Sequence, residues 1–301
     1  INPANRPVLK PGGPAMDLSG QSVMPGLVDL HGHIGGDEQG VTAEYVYKLW
    51  LAHGITSVRD PGCGNGIDWC VSEQRRSAAN AITAPRIFPY AFFGSGRDTP
   101  ITTPDQARQW VRDMKAKGAL GMKCFGYRPD ILEAAFDELK KLGMGSACHH
   151  AQLDVARVNV LTTARWGLTT MEHWYGLPEA LFDGQTVQQY PADYNYQNEQ
   201  HRFAEAGRLW AQASAKGSER YEAVITELDF TLDPTFTIYQ ATRDLMRARR
   251  ADWHEAYTHP ALWDFFTPNR DNHGSFFFDW GSEEEVAWRD NYRRWMAFVN
   301  D

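Results

Sequence analysis

The sequence has few cysteines, and their spacing matches no common metal or redox motif. Its 301 residues contain four of them, Cys63, Cys70, Cys124 and Cys148, and none forms a CxxC pair. This number is too small for a disulfide scaffold, and Cys124 and Cys148 lie in apolar runs where cysteine is usually a small buried hydrophobe. The cysteines therefore argue against a disulfide-rich class and leave the redox compartment undefined.

Long apolar runs, basic tracts and a secretory signal are also missing. No stretch approaches the roughly 20 apolar residues that a membrane-spanning helix requires. The net charge is −8 and there is no Lys/Arg-rich tract, whereas phosphate binding normally needs a basic face. We therefore expect a small-molecule ligand, with neither nucleic acid nor membrane as partner. The residues from Ile1 onward lack a charged-then-apolar signal pattern, which leaves open a cytoplasmic location and export after removal of a leader.

Strand-like and helix-like runs alternate through most of the chain. The strand-like runs cover residues 23–30, 55–58, 86–93, 120–125, 146–150, 168–173 and 224–231, and helical patterns cover 42–52, 103–118, 130–142 and 155–166. Glycines 54, 143 and 167 follow three of the helical patterns, as helix-terminating residues do. Repeated βα units of this kind predict an α/β fold, and the length suits one large barrel or two smaller domains.

The regular alternation weakens after His173. A stretch rich in Tyr, Gln and Asn from 190 to 200 leads into a predicted helix that ends near residue 215. The region of about 174–223 is therefore predicted to be an insertion, either a lid over a site or a solvated surface excursion. Residues 237–301 are predicted to be helical or irregular, and no eighth strand is evident.

Two histidines stand one residue apart at the end of the first predicted strand. Alternate side chains of a strand project to one face, so His31 and His33 would point the same way and could bind one metal ion. The other interpretation is a pair of hydrogen-bonded histidines at a strand end. Predicted strands four, five and six also end in potential ligands, and chemistry at strand ends is typical of barrels.

Several motifs occur in order at these strand ends: the segments 25–33 and 54–60, then Met122-Lys123, His149-His150-Ala151 and Met171-Glu172-His173. This ordered set resembles the amidohydrolase superfamily, and most of all its imidazolonepropionase-like and prolidase-like members, over roughly residues 15–239. The resemblance implies a (β/α)8 TIM-type barrel over 23–301 and a remnant of a small β-sandwich domain over 1–22. Because strand eight and most of the sandwich are not evident, we expect an incomplete barrel.

The resemblance also implies a metal centre and its ligands. His31, His33, Lys123, His150 and His173 match the catalytic metal ligands, with one or two divalent cations, usually Zn²⁺, and Lys123 carboxylated to bridge two metals. His150 is preferred over His149 because the family places an alanine after the ligand, although a shift of one residue would reverse the assignment. Glu172 is expected to face away from His173 on strand alternation. An unmodified strand-end lysine remains the alternative for Lys123, at the cost of burying a charge.

Function follows from the same resemblance. We expect hydrolysis of a C–N amide-type bond in a dipeptide, N-acyl amino acid or cyclic amide by metal-bound hydroxide. The alternatives are a mononuclear deaminase or cyclic-amide hydrolase, and an inactive metal-binding barrel fragment, since the family's strand-eight aspartate is missing and Asp279 imitates it only weakly. Three residues after strand ends are expected to contact substrate: Tyr127, Arg128 and Tyr175. Unpaired outer strands predict self-association, so a homo-oligomer is expected.

Overall fold

A computed structural model of the chain describes residues 17–35, 39–151, 154–155, 157–182, 208–268 and 280–301. Seven parallel strands form one curled sheet, and each strand pairs with the next in chain order. The strands are β1 (Leu27–Asp29), β2 (Ile55–Gly62), β3 (Arg86–Phe92), β4 (Gly121–Cys124), β5 (Gly145–Cys148), β6 (Thr170–Glu172) and β7 (Thr231–Asp233).

Helices follow the strands and flank the sheet. They are α1 (Ala43–Ala52), α2 (Ile67–Ala78), α3 (Pro104–Lys117), α4 (Pro129–Lys141), α5 (Val160–Trp166), α6 (Leu177–Ala180), α7 (Glu219–Glu227), α8 (Phe236–Arg243), α9 (Leu245–Arg249), α10 (Trp253–Tyr257), α11 (Pro260–Phe265) and α12 (Ser282–Asn300). Among the described residues, none of these helices combines the length and the apolar character needed to cross a bilayer.

The architecture is therefore α/β, with a curled, all-parallel half-barrel of seven strands and flanking helices. This agrees with the predicted class and with the expectation of an unclosed barrel, since within the described ranges β1 and β7 each pair on one side alone. Asp279, the weak candidate for the strand-eight aspartate, and most of the predicted sandwich remnant lie outside the described residues, as does the Tyr/Gln/Asn-rich stretch.

Helix α3 shows how the sequence sets an element's ends. The Thr103 hydroxyl accepts a hydrogen bond from the backbone N–H of Gln106 (3.3 Å), and Pro104 occupies the first turn, as predicted. Gly118 closes the helix with φ of 107°, a left-handed conformation that glycine adopts without a Cβ penalty. These caps fix where the chain leaves the helix layer and enters β4.

Two predicted strands differ from the structure. The predicted strand over 224–231 is wrong, because residues Glu219–Glu227 form α7 and the strand begins only at Thr231. The apolar run 23–30 forms a strand over three residues only and is not buried: Val23, for example, is 68% exposed. In the described part of the chain, nothing covers this edge of the sheet.

The two faces of the sheet have different chemistry. Side chains such as Val58, Met122 and Met171 point outward and are fully buried against the helices. A buried aliphatic or methionine side chain of this size contributes about 1.5–3 kcal/mol relative to exposure, so this layer carries the hydrophobic stability. On the other face, Lys123 and Glu172 are also buried, which gathers charged groups in the concave interior near the carboxyl ends of the strands.

Candidate metal centre

His31 and His33 lie together at the carboxyl end of β1, as the sequence predicted. The His31 Nε2 and His33 Nε2 atoms are 3.1 Å apart. Gly32 lies between the two histidines, where any side chain would clash with Val58 and Trp50. His31 is partly buried and His33 is exposed. Two imidazole nitrogens at this separation can share one hydrogen or bind one cation, because metal–nitrogen bonds of about 2.0–2.1 Å place two nitrogens about 3 Å apart.

Glu172 orients the His31 ring. Its carboxylate forms a close contact with His31 Nδ1, and the Glu172 side chain is fully buried. A proton on Nδ1 leaves the lone pair on Nε2 free, which is how carboxylates commonly prepare histidine metal ligands. Burial, and next the charge of Lys123, hold the pKa of His31 far below its ordinary value, so its ring is neutral. The expectation that Glu172 faces away from His173 is therefore wrong, because Glu172 contacts His31, whose ring lies beside that of His173.

Two further histidines approach this pair. The ring centroids of His31 and His173 are 4.5 Å apart, and those of His173 and His149 are 4.7 Å apart. His173 follows β6 with φ of 107°, so strand alternation no longer governs its direction. Burial and then the neighbouring His149 lower the pKa of His173 well below its ordinary value. We call His31, His33, His149 and His173 the histidine group.

His150, the preferred fifth-strand ligand, lies outside the histidine group. It is 1% exposed, and its Nε2 lies 2.8 Å from the Thr163 hydroxyl of α5, on the helix side of the sheet. Burial, followed by the charge of Lys123, lowers the pKa of His150 to about 3. The structure thus brings His149 to the cluster and directs His150 into the helix layer, which is the one-residue alternative that the sequence left open.

Lys123 lies in the concave interior, 1% exposed. Burial lowers the pKa of its amine, while the charge of Glu172 acts in the opposite direction. Its Nζ lies 5.6 Å from the centroid of the Phe125 ring, and within the described residues it forms no ion pair. Burial thus makes this amine harder to protonate, and carboxylation of Lys123 stays a prediction.

An ion-pair network contacts the histidine group through His31. Arg59 Nη2 donates to Glu172 at 2.8 Å and to Asp233, at the end of β7, at 3.4 Å. Burial, followed by the charge of Glu172, raises the pKa of Asp233 to about 6. Ligand atoms of His31, Glu172 and Asp233 all lie within 4.8 Å of one another. One guanidinium therefore balances two carboxylates beside the imidazoles.

The three predicted substrate residues are placed differently from one another. Tyr175 is buried, and its ring stacks on that of His149 with centroids 4.6 Å apart. Tyr127 donates to the carbonyl of Ile101 at 2.5 Å and packs against Phe93. Arg128 is exposed and pairs with Asp130 at 2.8 Å. The described contacts bring only Tyr175 to the histidine group.

Sequence reasoning missed Asp233 and misjudged Glu172. Asp233 is the last residue of the three-residue strand β7 and precedes Pro234, and proline is a recognisable signal for the end of a strand. The run of strand-forming residues just upstream, 224–231, instead predicts a strand that ends before Asp233. Like the predicted ligands of the other strands, Asp233 lies at the carboxyl end of its strand. The sequence carries no signal that His173 adopts a positive φ. It also does not show that the Glu172 side chain points into the concave interior, where it contacts His31.

The donor set fits a divalent cation of the zinc class. The Nε2 atoms of His31 and His33 face each other, and a carboxylate contacts the remote nitrogen of His31, which is a common arrangement around a bound cation. Imidazole and carboxylate ligands suit zinc, and also manganese or iron. His31, His33, His149 and His173 would hold one or two such ions, with Asp233 and Lys123 nearby.

No known family profile matches the sequence, and no curated protein matches it. Solved structures do. A bottromycin amidohydrolase aligns with a TM-score of 0.50 and 17% identity over 92% of this chain and 55% of its own. A Xaa-Pro dipeptidase with bound methionine has a TM-score of 0.47 and 16% identity over 80% and 59%, and a proposed prolidase from Bifidobacterium longum has 0.40 and 22% over 50% and 40%.

These similarities concern the fold. At 17% identity, the alignment with the bottromycin amidohydrolase shows a shared arrangement of parallel strands and helices and nothing about residues or activity. The chain spans 40 to 59% of the length of these three structures. The curled α/β sheet is therefore a fold that it shares with longer proteins.

Proposed function

We propose that this chain forms the metal-binding part of a hydrolase that cleaves a C–N amide-type bond. The observation that carries the proposal is that the histidine group lies at the carboxyl ends of the strands and that one of its members, His31, has ligand atoms close to the buried Glu172 and the partly buried Asp233. Active sites of barrel enzymes are built at this end, from residues of several strands. One of the solved structures that share the fold is named an amidohydrolase, which is compatible with the proposed reaction class.

A bound divalent cation would lower the pKa of water towards neutrality and polarise a carbonyl oxygen. The chain's own residues supply the remaining parts. Glu172 keeps His31 in the tautomer that presents Nε2, and Arg59 holds the Glu172 carboxylate in place. Asp233, with a pKa of about 6, is mostly ionised at pH 7 and can take up a proton from the attacking water and return it to the leaving nitrogen.

The substrate class is a dipeptide, an N-acyl amino acid or a cyclic amide. Aromatic side chains border the histidine group. Tyr175 stacks on His149, and the ring centroids of Phe125 and His149 are 4.6 Å apart. An apolar or ring-bearing group next to the scissile bond would suit these neighbours. Arg128 pairs with Asp130 at the surface, and its role as a substrate contact stays a prediction.

The test measures metal content and hydrolysis in the same preparations. We expect at least one equivalent of zinc, manganese or iron, hydrolysis of part of a panel of dipeptides, N-acyl amino acids and cyclic amides, and loss of both after chelation. His149→Ala should lower metal affinity at least about tenfold, because it removes a ligand. His150→Ala should leave metal affinity nearly unchanged, and the exposed His53→Ala is the matched control. Metal content below about half an equivalent would overturn the proposal.

A second candidate is metal binding without turnover, and the open sheet favours it. Among the described residues, the concave face lacks an eighth strand, and Phe92 on that face is 41% exposed. A site open to water on one side loses the low-dielectric surroundings that strengthen catalytic electrostatics. Full metal content with no hydrolysis of any amide in the panel would select this candidate over the hydrolase.

A further inference from the structure

A second cluster of potential ligands lies on the opposite, helix-facing side of β2. Asp60 projects outward from this strand, Cys63 follows the strand, and Cys70 lies in the first turn of α2. One oxygen or sulfur atom from each of the three residues lies within 4.8 Å of both others. The side chains are 0%, 4% and 0% exposed, respectively. We call Asp60, Cys63 and Cys70 the thiol cluster.

The Asp60 carboxylate is a buried charge with weak partners. Its Oδ1 accepts the backbone N–H of Cys63 at 3.2 Å, and its Oδ2 accepts the Cys70 thiol at 3.5 Å. The nearest potential cation is the His33 ring, whose Nδ1 lies 3.8 Å from Oδ1, and no lysine or arginine in the described residues pairs with it. Buried carboxylates are normally paired with a cation or bound to a metal, because desolvation costs several kcal/mol.

The geometry suits a tetrahedral cation with sulfur ligands. Metal–sulfur bonds of about 2.3 Å and metal–oxygen bonds of about 2.0–2.2 Å place sulfur and oxygen about 3.6 Å apart at a tetrahedral zinc. The measured distance from Cys70 Sγ to Asp60 Oδ2 is 3.5 Å. Cys63 has φ of 45°, a left-handed conformation that is uncommon outside glycine. In this conformation its backbone N–H donates to Asp60 Oδ1.

We propose that the thiol cluster binds one zinc-class divalent cation through Asp60 Oδ2, Cys63 Sγ and Cys70 Sγ. On binding, each thiol releases one proton to solvent, and two thiolates and one carboxylate then surround the cation. Both cysteines are free thiols, so the ligands are available without reduction of a disulfide. This site is distinct from the histidine group and does not depend on the proposed hydrolysis.

Cobalt distinguishes the two sites, because thiolate-bound Co²⁺ has a charge-transfer absorption in the near ultraviolet and the histidine group contains no sulfur. The reduced full chain, stripped of metal and kept free of oxygen, is titrated with CoCl₂. We expect this absorption to rise with added Co²⁺ and then to saturate, after more than one equivalent per chain when the histidine group also binds cobalt. Zinc added afterwards should displace the cobalt and remove the absorption, since zinc prefers thiolate ligands in tetrahedral sites.

The variants separate this cluster from the other cysteines. Cys63→Ser/Cys70→Ser should abolish the absorption, and Asp60→Asn, which keeps the side-chain shape, should weaken Co²⁺ binding at least about tenfold. Cys124→Ser/Cys148→Ser is the matched control and should keep the absorption, because among the described residues that pair belongs to no group of three potential ligands within 4.8 Å of one another. Circular dichroism verifies folding of each variant.

X-ray absorption on the zinc-loaded wild-type chain needs no variant. Sulfur scatterers at about 2.3 Å from zinc would support the site. Absence of both sulfur scattering and the cobalt absorption in the wild-type chain would overturn it, as would a cobalt absorption that survives in Cys63→Ser/Cys70→Ser. Loss of hydrolysis or of metal at the histidine group changes none of these signals, so the two proposals fail independently.

Discussion

At the residue scale, His150 is a neutral imidazole inside the helix layer. Its Nε2 pairs with the Thr163 hydroxyl, and burial together with the charge of Lys123 lowers the pKa of His150 to about 3. In the unfolded chain a histidine titrates near 6.5. The native state therefore resists a proton that the unfolded state accepts, so this residue's contribution to stability is complete above pH 6.5 and is lost as the pH falls towards 3.

His150→Gln tests this linkage. Glutamine does not titrate and can retain a hydrogen bond to Thr163. The free energy of unfolding of the metal-free chain should fall less steeply between pH 6 and 4 in the variant than in the wild type, by up to about 1.4 kcal/mol per pH unit. Urea denaturation at several pH values measures the slope. The exposed His53→Gln should keep the wild-type slope, and equal slopes for all three proteins would show that His150 is not held neutral.

The sequence predicts the direction of some site side chains and not of others, although all of them follow the last residue of a short strand. His31 and His33 lie beyond β1, and their spacing still brings their nitrogens together. His173 comes just after β6 with φ of 107°, a conformation that strand alternation does not predict. His149 and His150 are neighbours after β5, and the choice between them depends on the strand register, which the sequence leaves open by one residue.

At the element scale, β3, β4 and β5 approach one another around one tyrosine. A Cβ added to Gly121 would lie 2.4 Å from Tyr90 Cε2 and 2.7 Å from the Gly145 carbonyl oxygen. The same tyrosine hydroxyl would be 2.0 Å from a Cβ at Gly145. Two glycines in neighbouring strands thus make room for one ring in the concave interior, and the Arg59 guanidinium lies 5.2 Å from the centroid of that ring.

Gly121→Ala should therefore destabilise the sheet. One contact is with a backbone oxygen, which cannot rotate away, so we expect a loss of about 1–3 kcal/mol from overpacking. Gly64→Ala is the matched control, because its added Cβ meets no atom within 4 Å and the residue does not have a positive φ. Chemical denaturation of both variants gives the comparison. Equal stability of the two variants would show that β3, β4 and β5 can separate without cost.

Elements whose ends carry clear sequence signals are predicted correctly, whereas the helix α7 is predicted as a strand. Helix α3 was predicted from Thr103, Pro104 and the apolar positions that follow. The run from Val224 to Thr231 is rich in strand-forming residues and was predicted as a strand. However, Ser218 caps a helix there by accepting from the Tyr221 N–H at 3.2 Å, and Tyr221 and Val224 are buried on one helix face. Capping and helical spacing outweighed β-propensity.

At the scale of the whole molecule, the strands that the structure describes form an open sheet, and part of its apolar surface meets solvent. Leu27 and Val28 of β1 are 49% and 59% exposed, and Phe88 of β3 is 42% exposed on the concave side. Alternation of strands and helices predicted the fold class, because each βα unit carries its own signals. Closure of the barrel is a property of the full set of strands, and the local patterns of seven strands do not determine it.

The exposed edge of β1 should make the isolated chain associate. Within the described residues, β1 pairs only with β2, so its other side presents unpaired backbone groups next to apolar side chains. Sedimentation velocity should show the average mass rising with concentration. Val28→Lys should reduce this association by placing a charge at the edge, whereas Val286→Lys, at an equally exposed site on α12, should not. A single monomeric species at every concentration would mean that another part of the chain protects this edge.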